Sequence, residues 1–172
     1  MRTTHHPTPY PVKPGEESVW DYPRPPALQP VDGRLEIVHH GAHIASTERG
    51  YRVLETSHPP VYYFPPEDCD EAIVQPARSG HTSYCEWKGE ASYLDVVLGA
   101  QGVRLQRVAW RYLKPLQGFE GIAGYIAFYA DPFDACTVRG ERAQPQPGGF
   151  YGGWITQDIK GPFKGEPGSW YC

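Results

Sequence analysis

Glu55 and Lys88 are the two residues whose type and setting best suit chemistry. The run Tyr51-Arg52-Val53-Leu54-Glu55 is rich in strand-forming residues, and strand alternation sends Tyr51, Val53 and Glu55 to one face and Arg52 and Leu54 to the other. Glu55 then sits on a largely apolar side. A carboxylate there needs a cation or hydrogen bonds, or it holds its proton more tightly because burial disfavours the charge. In Tyr84-Cys85-Glu86-Trp87-Lys88-Gly89 the same alternation puts Tyr84, Glu86 and Lys88 on one face and Cys85 and Trp87 on the other. Gly89 can take a positive φ and open a bulge that re-aims Lys88. As a catalytic pair, Glu55 would serve as general acid or base and Lys88 would hold a developing negative charge. The expectation is that the two lie within salt-bridge reach in a concave, partly buried site. The plain alternative is a structural ion pair or two solvated charges.

Aromatic residues supply the walls for such a site. Tyr63, Trp87, Trp110, Tyr112 and Tyr125 are the candidate ligand-binding residues. Trp110 and Tyr112 share a strand face, Tyr125 and Tyr129 share another, and Tyr62 and Tyr63 split between faces. Aromatic walls with a few polar groups are the usual make-up of a small-molecule site, although each of these side chains is equally at home in a core.

Metal and cofactor chemistry finds less support. His39 and His40 are adjacent and should diverge on a strand, leaving only His39 and His43 aligned, and no metal or cofactor is expected. His5, His6, His58 and His81 fall in turns or in the arm and read as solvated. The cysteines at 69, 85, 136 and 172 lack zinc-knuckle spacing. Cys85 in particular reads as packed rather than nucleophilic, with no histidine near it in sequence. There is no Gly-x-Ser-x-Gly elbow, no glycine-rich phosphate loop before a helix and no His-Glu-x-x-His.

The elements that must position these residues are short and mostly β. Residues 1–17 form a Pro-rich N-terminal arm, since proline lacks the N–H that helices and central strands need. The Trp20 and Tyr22 segment should lie as a strap across the core. Strands are expected at 35–39, 42–45, 51–56, 61–64, 83–88, 91–98, 103–113 and 122–129, with breaks at Gly41, Pro59-Pro60 and Gly99. A helix of at most two turns is expected over 65–74, where prolines precede acids. Residues 18–143 make the β domain, and 144–172 fold back as a Gly-rich and aromatic extension.

A chain of 172 residues with 40% hydrophobic and 13% aromatic residues suits one domain with a real core. Its net charge of -4 offers no surplus of cations for a phosphate backbone, so nucleic acid is not expected as a partner. No stretch has the length and apolarity of a signal peptide or membrane span. The expected setting is the cytoplasm, with a small ligand and at most a second copy of the chain, as a homodimer, for partners.

Taken together, Trp20 with Tyr22-Pro23, Ile44-Ala45-Ser46, Val53-Leu54-Glu55-Thr56, Tyr62-Tyr63-Phe64-Pro65 with Asp68, Cys85 with Lys88-Gly89 and Ala91, Trp110 with Tyr112, and Gly124-Tyr125-Ile126-Ala127-Phe128-Tyr129 resemble the family called domain of unknown function 427, which also carries a nucleotidyltransferase-like label. The segments Phe150-Tyr151-Gly152-Gly153-Trp154-Ile155 and Gly161-Pro162-Phe163-Lys164-Gly165 are similar to the extension of its longer members. The resemblance implies a compact, mainly β fold of strongly bent antiparallel sheets, like the β-tent group, with a pocket formed by the bend. Relatives in that group hold zinc through paired Cys-x-x-Cys motifs, which this sequence lacks, so their metal and activities do not transfer. Nucleotidyl transfer needs metal-binding carboxylates and a phosphate cradle, and the sequence shows neither. Two readings follow: a metal-independent site that binds or processes a small molecule through Glu55 and Lys88, or a non-catalytic binding or protein-interaction module.

Overall fold

The computed structural model describes residues 7–167. Its strands in chain order are β1 (Glu17–Ser18), β2 (Ala27–Pro30), β3 (Leu35–His39), β4 (Ala42–Thr47), β5 (Tyr51–Leu54), β6 (Val61–Phe64), β7 (Val74–Pro76), β8 (Thr82–Cys85), β9 (Gly89–Leu98), β10 (Val103–Arg111), β11 (Ile126–Phe128), β12 (Ala135–Val138), β13 (Glu141–Arg142), β14 (Gln144–Pro145), β15 (Trp154–Ile155) and β16 (Ile159–Lys160). A main sheet runs in the order β2-β5-β6-β11-β10-β9-β7, with β8 paired to β9, and a second sheet runs β13-β12-β3-β4. Two small pairs, β1-β16 and β14-β15, complete the set. The fold is mainly β, and no sheet closes into a barrel.

Alternation along the central strands separates two apolar layers. Tyr62 and Phe64 of β6, Ile126 and Phe128 of β11 and Leu94 and Val96 of β9 face the second sheet, where Leu35, Ile37, Ile44, Cys136 and Val138 meet them. Tyr63, Ala127 and Ala91, each an odd number of residues away on its strand, point the other way and join Val53, Trp110 and Tyr112. The first layer is a close-packed core. The second carries the candidate site.

Several local expectations change. The helix expected over 65–74 is only a single 3-10 turn at Pro66–Asp68. Cys69 is already extended and bridges Ala45, Asp70 caps a turn by accepting the Ala72 N–H, and Val74 enters β7 opposite Val96. Two turns of isolated helix cannot repay their nucleation cost when sheet pairing is on offer. Likewise the strand expected over 122–129 shortens to β11, after a 3-10 turn at Glu120–Ile122. The long β10 slips register between Leu105 and Ala109, with Arg107 at φ +52°. Beneath that bulge lies Asp95, 1% exposed, which accepts from the Arg107 and Arg78 N–H groups and pairs with Arg104 at 2.9 Å. Burial pushes its pKa up, but these donors outweigh burial and hold the carboxyl below its usual range.

The Trp20 strap lies to the side of the main core. Val19 and Tyr22 pack in a third small cluster with Leu54 and Ile159, and the Trp20 indole donates to the Pro162 carbonyl. In the described part of the segment after Gln144, Trp154 is fully buried, and its indole donates to the Phe128 carbonyl at 2.9 Å. Its backbone N–H reaches Pro60, and Lys164 N–H reaches Ser57. Phe150 departs from the expectation that such aromatics shun water, at 74% exposure. Trp170, Tyr171 and Cys172, like His5 and His6, lie outside the described residues. Among the described residues no helix is long and apolar enough to cross a membrane.

Candidate functional site

The second apolar layer is not filled. Between it, the β8-β9 hairpin and the chain after Gln144 lies a cavity of about 300 Å³. Glu55, Lys88, Tyr63, Trp87, Trp110 and Tyr112 all line it. Tyr125 does not. It stands just before β11 and packs edge-on against Tyr51 at 5.7 Å. Sharing a face was not enough, because the residue of that face that lines the cavity is Tyr129, four residues on and about 13 Å away along an extended chain.

Lys88 reaches the cavity by a route that strand alternation misses. The strand expected to run through Lys88 stops at Cys85, whose register partner is Gly89, so Glu86 to Lys88 form the hairpin turn. Gly89, at φ +102°, makes that turn possible. As a result Lys88 and Cys85 lie on the same side, and Nζ donates to Sγ at 3.2 Å. The ammonium also stands 5.6 Å from the Tyr112 ring centroid, within cation–π range. Lys88 is only 9% exposed, yet no carboxylate lies within 4.0 Å of it among the described residues. Glu55 has other partners: His58 Nε2 at 3.5 Å and Arg24 at 3.8 Å. Glu55 and Lys88 thus face one cavity without forming an ion pair.

His58 is the residue that sequence reasoning misplaced. Expected in solvent, it is 8% exposed and lines the cavity. Burial, aided by the positive charges of Lys164, Arg24 and Lys88, pushes its pKa down to about 4, so the ring is neutral at pH 7. The surrounding hydrogen bonds also assign its tautomer. Gln146 Oε1 accepts the Gly153 N–H, which leaves the amide nitrogen to donate to the Lys164 carbonyl at 2.9 Å and to His58 Nδ1 at 3.1 Å. Nδ1 is therefore the acceptor, and Nε2 carries the proton towards Glu55. The only sequence cue was the three-residue spacing from Glu55.

Other lining groups come from outside the residues singled out. Tyr93 and Tyr129 contribute from the main sheet, and Tyr151, Gly152 and Lys164 from the C-terminal segment. Tyr129 packs at a tilt against Trp110, with ring centroids 4.7 Å apart, and Tyr151 packs edge-on against His58 at 4.8 Å. Gly152 presses so closely on Trp110 that an added Cβ would overlap the indole. The Tyr63 hydroxyl is fully buried and has no hydrogen-bond partner. Burial raises its pKa; the Trp110 indole is near enough to work the other way, though no bond of good geometry forms between them, and the neighbouring Cys85 and Glu55 side chains add to the rise. An open groove of about 780 Å³ adjoins on the outer side and shares Tyr93, Tyr129 and Tyr151 with the cavity.

A group of possible metal ligands lies elsewhere. His39, His40 and Asp134 place their donor atoms within 4.8 Å of one another. The sequence expectation that His39 and His40 diverge fails because His40 sits in the β3-β4 turn at φ +48°, and the two rings stack at 4.2 Å. These groups already serve one another: Asp134 N–H donates to His39 Nδ1, and His40 N–H donates to Asp134 Oδ2. None of the three lines the cavity.

No curated protein matches the chain. The model of the family described as Domain of unknown function (DUF427) matches residues 27–139, about two-thirds of the chain. Its span takes in Glu55, His58, Tyr63, Cys85, Lys88, Trp110 and Tyr112, but ends before Gln146, Tyr151 and Lys164. The chain belongs to the domain of unknown function 427 family.

Proposed function

We propose that the cavity binds a small, flat molecule and presents Lys88 to a negatively polarised oxygen on it, a carboxylate or a carbonyl, with Glu55, held by His58 in the same lining, as the proton-handling group. The observation that carries this reading is the Lys88 ammonium, nine-tenths buried without a carboxylate in reach. Burying an unpaired cation is costly, and a ligand oxygen would offset that cost. Aromatic walls suit a flat molecule, and about 300 Å³ fits one substituted ring. His58, neutral at pH 7, directs its Nε2–H at Glu55 and so positions that carboxylate to exchange a proton with the ligand. No metal enters this reading, since the cavity wall itself supplies the charged and proton-bearing groups.

Benzoate serves as a probe of size, flatness and charge. It should raise the melting temperature of the full chain in a concentration-dependent way and should fail to do so for Lys88→Met. Equal stabilisation of both proteins, or of neither, would overturn the reading. Turnover of a carbonyl substrate that disappears in Glu55→Gln while benzoate binding persists would separate an enzyme from a binding module.

A further inference from the structure

The turn at Glu86 to Lys88 does more than aim a cation into the cavity. It folds Lys88 back onto Cys85, so that a thiol and an ammonium meet at 3.2 Å on the cavity wall. Two other thiols are described, and both are buried in the opposite layer, where burial pushes their pKa up to about 12. Cys85 differs from them in being partly exposed and in having a cation on its sulfur. The cation beside the sulfur and the opening to the cavity give this thiol both access and a proton donor next to the atom it would attack. The second observation is independent of this pair. Tyr63 aims a fully buried hydroxyl, without a partner, into the same wall. An unused buried donor is expensive unless something occupies it.

We propose that Cys85 is the cavity's nucleophile, and that the ligand it takes is a small aldehyde, captured reversibly as a thiohemiacetal whose oxygen is held by Lys88 and Tyr63. The inference rests on the reading of the cavity as a ligand site and names the ligand's chemical class. The Cys85 sulfur forms a C–S bond to the aldehyde carbon as its S–H bond breaks. The π pair of the C=O bond moves to oxygen, which takes a proton from the Lys88 ammonium, and Lys88 regains the proton that the thiol gave up, so that no net proton is gained or lost. No leaving group, oxidant or second substrate is needed. Lys88 has three N–H donors, and one on sulfur leaves others for the alkoxide. The Tyr63 hydroxyl supplies a further donor, the arrangement that stabilises an oxyanion. An aldehyde fits better than an acyl donor, because capture as an adduct is complete in itself.

The test uses the full chain with benzaldehyde labelled with ¹³C at the carbonyl carbon, followed by NMR. The labelled carbon should move from the carbonyl region to the tetrahedral region in the wild type and should not move in Cys85→Ser. Adduct should fall about tenfold in Lys88→Met, the worth of one charge-assisted hydrogen bond, and recover in part in Lys88→Arg. A parallel reading with iodoacetamide and peptide mapping should find Cys85 alkylated about tenfold faster than Cys69 or Cys136. Absence of a tetrahedral signal in the wild type, or its persistence in Cys85→Ser, would overturn the proposal. Benzoate separates this failure from that of the underlying reading. Benzoate stabilisation that survives in Cys85→Ser, with no aldehyde adduct in the wild type, would leave a ligand site without a nucleophile. Loss of benzoate stabilisation in the wild type would remove the site itself.

Discussion

The two faces of the main sheet are built from alternate residues of the same strands, yet they end in opposite conditions. On one face Tyr62, Phe64, Phe128 and Trp154 interlock with the second sheet, and the polar atom of Trp154 finds the Phe128 carbonyl. On the other face Tyr63, Trp110 and Tyr112 are no less aromatic, but they surround space, a buried cation and an idle hydroxyl. Composition does not separate the two layers. What separates them is the cover: a second sheet presents whole rows of apolar side chains, whereas a hairpin turn, the β5-β6 loop and an irregular segment present Lys88, His58 and Gly152. A face covered by loops is where a fold can hold polar groups out of water without filling the gap between them.

That contrast can be broken most forcefully on the filled side. Trp154→Ala should cost about 3–5 kcal/mol in urea unfolding, because it leaves a cavity in the close-packed layer and orphans the Phe128 carbonyl. A loss below about 1 kcal/mol would mean the two layers are equally loose. On the cavity side the largest effect should come from the cover. Gly152→Ala forces a methyl group into the Trp110 ring and should cost about 2–3 kcal/mol by overpacking, with loss of benzoate stabilisation. Unchanged binding would show that the segment is only a neighbour.

A pH series sharpens the comparison next. His58 has a pKa near 6.5 when unfolded and about 4 when folded, so the unfolded chain takes up its proton first as pH falls. Its contribution is fully present above pH 6.5, declines between 6.5 and 4, and is lost below that. Between pH 7 and pH 5 the wild type should lose about 2 kcal/mol more than His58→Gln. An identical pH dependence in the two would place His58 in solvent after all. The smallest effect belongs to Tyr63→Phe. Removing a hydroxyl that bonds nothing should change stability by under about 0.5 kcal/mol, while weakening aldehyde capture. A cost above 1 kcal/mol would show that the hydroxyl has a protein partner.

How much of this could be read from the residues depended on whether a strand kept its period. Period 2 held through β5, β6 and the end of β10, so Glu55, Tyr63, Trp110 and Tyr112 were assigned to the right face before any coordinates. It gave the wrong side wherever a turn intervened. Lys88 was counted opposite Cys85 because the hairpin was taken for continuous strand, and His40 was counted opposite His39 for the same reason. Local pattern says nothing about non-local closure, so the contributions of His58, Gln146 and Tyr151 were out of reach. Their places follow from hydrogen bonds spanning 88 residues, as between Gln146 and His58. The helix over 65–74 failed for a related reason: its acids and prolines suit a helix start, but the pairing of Val74 with Val96 is settled by the sheet.

The segment that roofs the cavity is fastened firmly at its ends and lightly between them. Gln146 and Gly153 exchange hydrogen bonds, and Trp154 is anchored to Pro60 and Phe128. From Pro147 to Gly152, among the described residues, the hydrogen bond to the main sheet runs from the Tyr129 hydroxyl to the Phe150 carbonyl at 3.4 Å, while Gly152 packs on the Trp110 ring and Tyr151 edge-on against His58. With fewer polar ties than its ends, this middle stretch is the part of the cover that opens at least cost. If the cavity holds a ligand as proposed, residence time there would be set by this short flap rather than by global stability, so substitutions at its hinges would tune release while the unfolding transition stays where it is.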